Sequence, residues 1–371
     1  MNKTISLLKP DMVVAGDMLP WLEKIDTNRW YTNFGPLSAE FERALSRELG
    51  VGDKHLTVTA SGTSALQLSL EALGLPDKGL VLMPALTFPA TAVAVIRAGL
   101  RPVIADVDLQ TWLLTPETAY QAMAKLAIKA VVPVSAFGVS QSAACWDRFT
   151  EATGIPVVID AAGAFGNQDT GRTTSVIFSL HSTKALSSGE GGVVVCADEK
   201  KIEQIRNRAN FGIDRSRSGL MTTFGLNAKL SEYHAAVGLA NLARWQKQKT
   251  KRRALLAAYR NKIKMMPLSV QFQRGQEGSI LSIFNVRFTS ENDVAALKAF
   301  LWDKNIETRR WYYPLIPAHP VFSDLPCMDS LANSRLLSNQ LLGLPFHLDL
   351  THQELDLVCE SLALYHREIV C

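Results

Sequence analysis

Seven short apolar runs between Thr57 and Cys196 restrict the fold more than any other feature of this chain. They are Thr57–Ala60, Leu80–Met83, Pro102–Ala105, Val131–Val134, Pro156–Asp160, Val176–Leu180 and Val193–Cys196. Each has strand length, and helical stretches separate most of them from their predecessors. Short apolar strands alternating with helices predict a mainly parallel α/β sheet. The chain has no G-x-G-x-x-G motif, so a dinucleotide-binding fold of the usual kind is not supported.

Between the last two runs lies a polar, glycine-rich loop, His181-Ser-Thr-Lys184 followed by Ala-Leu-Ser-Ser-Gly-Glu-Gly-Gly192. A lysine wedged between two core strands is costly to bury unless it is paired or chemically used. Its bland alternative is an exposed lysine on a hairpin tip. What favours chemistry is Asp160, which ends the run Pro156-Val-Val-Ile-Asp160. Ligand groups gather at the carboxyl ends of strands in open α/β sheets. An Asp and a Lys at neighbouring strand ends suit pyridoxal phosphate, whose Schiff base forms on a lysine and whose pyridinium nitrogen pairs with a carboxylate.

Other stretches admit two readings. Ser61-Gly-Thr-Ser64 leads straight into a helix, so it is either a simple N-cap or a phosphate seat built from free N–H groups and the helix dipole. Phe88, in Pro84-Ala-Leu-Thr-Phe88-Pro, sits at a strand–helix junction and either packs in the core or stacks on a planar ring. The aromatic turn Trp30-Tyr-Thr-Asn-Phe-Gly-Pro36 either packs or lines a site. After it, Ser38 is the expected N-cap of an amphipathic helix, with Glu40 and Glu42 in its first turn.

The remainder narrows the class. A length of 371 residues allows two domains, placed here at 1–244 (a large α/β domain with its N-terminal segment) and 245–371 (a smaller α+β domain). The second is expected to hold a strand over Ile280–Phe288, a helix over Val294–Leu301 and a last helix from Gln353 onward. Ser218–Phe224 is expected to be a loop. A net charge of +4 gives no argument for nucleic acid or an anionic membrane, and the basic run Lys247–Arg253 continues a helix as its solvated face. Five scattered cysteines with no Cys-x-x-Cys pair suit a reduced, cytoplasmic protein without a zinc site. No run approaches the roughly 18 apolar residues of a membrane span, and Met1–Pro10 has no apolar signal core.

Taken together and in order, these motifs resemble the DegT/DnrJ/StrS family of sugar aminotransferases, which are fold-type I pyridoxal-phosphate enzymes. The resemblance runs nearly the whole chain. It includes Thr32–Pro36, Ser61–Leu66, Pro84–Ala92, Pro102–Asp108, Asp160–Ala162, Phe178–Lys184, Glu190–Gly192, Asn227–Glu232, Tyr312–Pro314 and Leu344-Pro345. It implies that Lys184 is the Schiff-base lysine and Asp160 the partner of the pyridine nitrogen. By the same resemblance Phe88 stacks on the ring, and Gly62, Thr63, Ser64 and Ser179 hold the phosphate. Asn227 is implied to reach the phosphate in the partner subunit, which makes the enzyme a homodimer with shared sites. One departure is Gly163, where the family commonly has Gln or His. The implied reaction moves an amino group from glutamate to a nucleotide-linked keto-deoxysugar, for polysaccharide, lipopolysaccharide or antibiotic sugar synthesis. Two alternatives share the cofactor site: a sugar dehydratase, in which histidine replaces the lysine, and a non-catalytic regulatory binder. Substrate contacts are sought in Trp30–Phe34, Lys229 and Arg309–Tyr313, without assigned roles.

Overall fold

The structure, a computed structural model, describes residues 4–214, 218–289 and 294–367, so Cys371 lies outside the described residues. The seven apolar runs become β1 (Leu56–Thr59), β2 (Leu80–Pro84), β3 (Arg101–Ala105), β4 (Ile128–Val131), β5 (Val158–Asp160), β6 (Ser175–Ser179) and β7 (Gly192–Val195). They lie side by side in the order β1-β7-β6-β5-β4-β2-β3. β2 pairs in parallel with β3 and β4, and β5 with β6. Parallel bridges Val131–Val157 and Val134–Asp160 join the two halves. β7 runs antiparallel to both its neighbours, and the sheet is otherwise parallel. β4 ends three residues earlier than expected because Pro133 has no N–H to continue the ladder.

Helices cover both faces. They are α1 (Ala15–Asn28), α2 (Pro36–Leu49), α3 (Gly62–Glu71), α4 (Pro89–Arg97), α5 (Pro116–Met123), α6 (Ala143–Thr153), α7 (Glu199–Arg208), α8 (Glu232–Ala243) and α9 (Trp245–Lys264). Alternate strand residues feed two separate cores. Leu82, Val103, Ile159, Phe178 and Val193 join Phe41, Trp146, Phe149 and Ala235 of α2, α6 and α8. Their neighbours Val81, Ile104, Val158, Ile177 and Val194 join Leu68, Val95 and Ile202 of α3, α4 and α7. Burial on both faces explains why the strands are uninterrupted apolar runs rather than alternating ones.

Helix α2 corrects one expectation. Its N-cap is Gly35, with Pro36 at the first helical position, so Ser38 lies inside the first turn. Pro fits there because its fixed φ suits the helix and its missing N–H is not needed. Neither Glu40 nor Glu42 serves that turn. The negative charge comes from Glu232 of α8, whose carboxylate accepts from Leu37 N–H (2.7 Å) and Ser38 N–H (2.9 Å). A Cβ on Gly35 would lie 2.6 Å from the Glu232 carboxyl carbon, so glycine is required for this approach.

Ile213–Asp214 (β8) and Leu220–Met221 (β9) pair as a short hairpin, where Ser218–Phe224 was expected to be loop. The final third adds β10 (Val270–Gln271), β11 (Phe284–Phe288), α10 (Val294–Asp303), α11 (Ala332–Gln340), β12 (Leu341–Leu344) and α12 (His352–Tyr365). Its antiparallel sheet, ordered β10-β11-β12, shares a third core with α9, α10 and α12. Ile5, grouped above with the large domain, enters this core and bridges to Ile306, and Leu7 O accepts from Phe346 N–H. In return, Ile316, Phe322 and Leu331 pack into the large unit, and Cys327 bridges to Ile104 beside β3. An edge strand needs such cover. No described helix is long and apolar enough to cross a membrane.

Candidate active site

Asp160 ends β5 at the carboxyl edge of the sheet, 8% exposed. Its Oδ2 accepts from Thr91 Oγ1 (2.8 Å) and its Oδ1 from Ala162 N–H (3.1 Å). Burial raises its pKa above the ordinary carboxylate value, while Thr91, Ala162 and the Lys184 charge pull it back. Each oxygen thus accepts one hydrogen bond and keeps further acceptor capacity.

Lys184 lies in the loop between β6 and β7, and a small hydrogen-bond network shapes that loop. Leu180 N–H donates to Gly191 O, Ser182 N–H to Gly189 O, and Lys184 N–H to His181 O (2.8, 2.8 and 2.9 Å). Asn241, buried on α8, donates to Ser187 O at 2.8 Å and ties the loop to the large unit. The lysine is therefore held from behind, not free on a hairpin tip. Burial lowers its pKa below the usual lysine value, opposed by the charge of Asp160. Its side chain retains some solvent access, so it is enclosed by protein yet reachable. The two groups sense each other's charge, and among the described residues no ion pair is formed by Lys184 Nζ.

Ser61 caps α3. Its Oγ accepts from Ser64 N–H (3.1 Å), while Ser64 Oγ accepts from Ser61 N–H (3.1 Å) and donates to Ser61 O (2.8 Å). The N-cap reading is therefore realised, and the Ser64 hydroxyl is spent on it. The Gly62 and Thr63 N–H groups remain without intrahelical acceptors, so the helix end still offers donors. A Cβ on Gly62 would lie 2.8 Å from Ser179 Cβ, so glycine lets α3 abut the end of β6. Ser179 is 8% exposed, and its Oγ accepts from His181 N–H at 3.3 Å. Gly62, Thr63, Ser179, Lys184 and Asp160 thus share one sheet edge. Phe88, the N-cap residue of α4, is 54% exposed and lies 6.4 Å from the Tyr312 ring, so it is not a core residue.

Asn227 is exposed and accepts from Lys229 Nζ at 2.7 Å. No hydrogen bond joins it to Asp160 or Lys184, although the adjacent Ala228 accepts from Ala60 N–H beside Ser61. Lys229 also lies 4.7 Å from the Phe211 ring. In the aromatic turn, Tyr31 stacks on Tyr233 at 6.3 Å, so this turn docks on α8. Gly163 has open space: a Cβ there would meet only Gly138 N, at 3.7 Å.

Two further residues, and Tyr312 from the Arg309–Tyr313 segment, belong to the candidate site. Thr91 and, behind it, Thr87 (2.8 Å between the hydroxyls) support Asp160. Tyr312 stacks on Phe137 at 5.0 Å, and its phenol is raised well above the ordinary value by burial and by Asp160. The threonines read as an ordinary helix entry, and nothing local to residue 312 indicates Asp160.

The donor set fits pyridoxal phosphate: an amine without an ion-pair partner, a buried carboxylate with acceptor capacity, an exposed aromatic face and a helix N-terminus with free N–H groups. Comparison with known proteins gives the same direction. The DegT/DnrJ/EryC1/StrS aminotransferase family model matches residues 15–363. A dTDP-4-amino-4,6-dideoxy-D-glucose transaminase from Shigella dysenteriae is 30% identical over 380 residues, covering 98% of this chain and 99% of its own. A putative PLP-dependent aminotransferase from Bacillus cereus aligns with a TM-score of 0.90 at 27% identity, covering 97% of this chain and 100% of that one. DesI, crystallised in the presence of its TDP-sugar product, aligns with a TM-score of 0.89 at 28% identity, covering 99% and 94%.

Proposed function

The chain belongs to the DegT/DnrJ/EryC1/StrS aminotransferase family, and from that premise we propose that it moves an amino group from glutamate to a nucleotide-linked keto-deoxysugar, as a homodimer. Enzymes of this family depend on pyridoxal phosphate, and the fold here is theirs. The observation that carries the reading is the pair of Lys184 and Asp160, enclosed at one sheet edge, each shifted by burial and pulled back in part by the other's charge.

Pyridoxal phosphate, when bound, supplies an electron sink for the charge left as an amino acid loses its α-proton. Asp160 is the residue that would pair with its ring nitrogen, Phe88 would cover its ring, and the N-terminus of α3 with Ser179 would hold its phosphate. Lys184 has the chemistry to carry that proton. A general base needs a neutral amine near the operating pH, and burial moves Lys184 in that direction. It would accept the α-proton from the donor's Cα and give that same proton back during the transfer, so the amine ends as it began. Hydroxyls, a helix end and a carboxylate all stay fixed while the amine moves the proton.

The substrate class is supported by the relatives' own specificities, a dTDP-sugar transaminase and an enzyme crystallised with a TDP-sugar product. An exposed Asn227 and the exposed Leu220, Met221 and Phe224 support burial of this surface against a second copy. The described cysteines are all free, which supports a cytoplasmic setting. Retention of Lys184 disfavours a dehydratase, and the intact Lys184–Asp160 pair disfavours a silent binder.

The test is a visible spectrum of the protein loaded with pyridoxal phosphate. Glutamate should remove the cofactor band, and a keto-deoxysugar nucleotide should restore it with formation of an amino sugar. A band indifferent to every amino donor would refute transamination.

A further inference from the structure

We propose that Thr87 and Thr91 form a directed two-hydroxyl chain that fixes the Asp160 carboxylate, making Thr91 a positioning residue; this rests on the role assigned above to Asp160. Thr91 Oγ1 lies 2.8 Å from both Asp160 Oδ2 and Thr87 Oγ1. A hydroxyl has one proton, and an ionised carboxylate only accepts. The Thr91 proton therefore goes to Asp160, and the contact behind it must be donated by Thr87. The direction of the chain is set by the charge at its end. A neutral Asp160 could donate to Thr91 and reverse it.

Burial gives the chain its weight. Thr87 and Thr91 are each 1% exposed, so no bulk water replaces a lost hydroxyl. With Thr91 on Oδ2 and Ala162 N–H on Oδ1, both oxygens are held and the carboxylate cannot swing. The same short segment carries Phe88, since Thr87 precedes it and Thr91 lies in the first turn of α4 that it caps. One turn of backbone thus sets both the exposed aromatic face and the carboxylate's orientation. The other titratable groups in the field of Asp160 are Lys184, from the β6–β7 loop, and Tyr312, from the segment after α10. Neither donates a hydrogen bond to it among the described residues.

Thr91→Val keeps the shape and removes the donor, Thr91→Ser keeps the donor, and Thr87→Val removes only the outer hydroxyl. Pyridoxal phosphate is titrated into each cofactor-free protein by absorbance, and the pH midpoint of the bound cofactor's band is measured. Thr91→Val should weaken affinity on the order of 10–100-fold, as expected for a lost charge-assisted hydrogen bond, and should shift that midpoint. Thr91→Ser should restore both, and Thr87→Val should show a smaller change of the same sign. A second readout needs no cofactor. The melting temperature of cofactor-free Thr91→Val should fall further below wild type as pH rises and Asp160 ionises without its donor. A deficit equal at every pH, or an affinity within about twofold and a pH midpoint within about 0.3 units of wild type, would overturn the inference. Wild-type protein that binds no pyridoxal phosphate would instead overturn the functional reading beneath it.

Discussion

Gly62→Ala isolates the packing that places the end of α3 beside the candidate active site. The new Cβ would lie 2.8 Å from Ser179 Cβ and 3.1 Å from its Cα. Ordinary carbon contacts are about 3.5–4.0 Å, so some 0.7 Å or more must be recovered. Ser179 ends β6, which is bonded to β5 on one side and β7 on the other, so the strand cannot retreat. The helix end moves instead. Overpacking of this kind costs about 1–3 kcal/mol, and the better helix propensity of alanine returns up to about 1 kcal/mol. A net loss of about 1–2 kcal/mol should appear as a lower urea midpoint with an unchanged slope. If the Gly62 and Thr63 N–H groups hold the cofactor's phosphate, the displacement should also weaken pyridoxal phosphate about tenfold, toward the lower end of a charged hydrogen bond's worth. Gly16→Ala in α1 is the control, because nothing lies within 4 Å of its Cβ. It should leave affinity unchanged and stability equal or slightly higher. A Gly62→Ala protein matching wild type in both urea midpoint and affinity would refute the reasoning. Lost stability with full affinity would leave the packing argument intact and remove the phosphate seat.

Three further outcomes follow from the geometry. Glu232→Ala removes a buried carboxylate from two N–H groups at the start of α2 and should cost about 2–4 kcal/mol in urea unfolding, with Glu232→Gln closer to wild type. Phe88→Ala should leave stability within about 0.5 kcal/mol, since the ring is exposed, yet weaken cofactor binding measurably; unchanged binding would return Phe88 to the surface. Asp160 has its pKa raised by burial, so in the cofactor-free protein its favourable contribution is complete below the unfolded carboxylate pKa and is lost as pH rises through the folded one. Asp160→Asn should therefore raise the melting temperature of cofactor-free protein near neutral pH and flatten its decline with pH. Melting curves that superpose on wild type throughout would contradict this.

Local residue patterns carried most of the fold. Buried strands such as Val158–Asp160 and Gly192–Val195 are legible because a two-faced core demands continuous apolar runs. Asp160 was legible because it ends such a run, and Lys184 because it lies in the polar loop that joins two of them. Long-range partnerships were hidden. Glu232 serves a helix start 195 positions away, and Ser38 looked like the cap only because that partner is invisible locally. Thr91 reads as a helix-entry residue until β5 brings Asp160 beside it. Ile5 joins the last core through a pairing with Ile306 that no local periodicity encodes. The β8–β9 hairpin was missed because its two-residue strands are too short to show alternation.

The central claim is that Lys184 is the residue joined to the cofactor, and chemical trapping tests it most directly. Protein loaded with pyridoxal phosphate is reduced with borohydride, digested and mapped by mass spectrometry. The account predicts one stable pyridoxyl modification, on the peptide containing Lys184, and none in Lys184→Ala. A modification on another lysine, or an unmodified Lys184 in fully loaded protein, would contradict it.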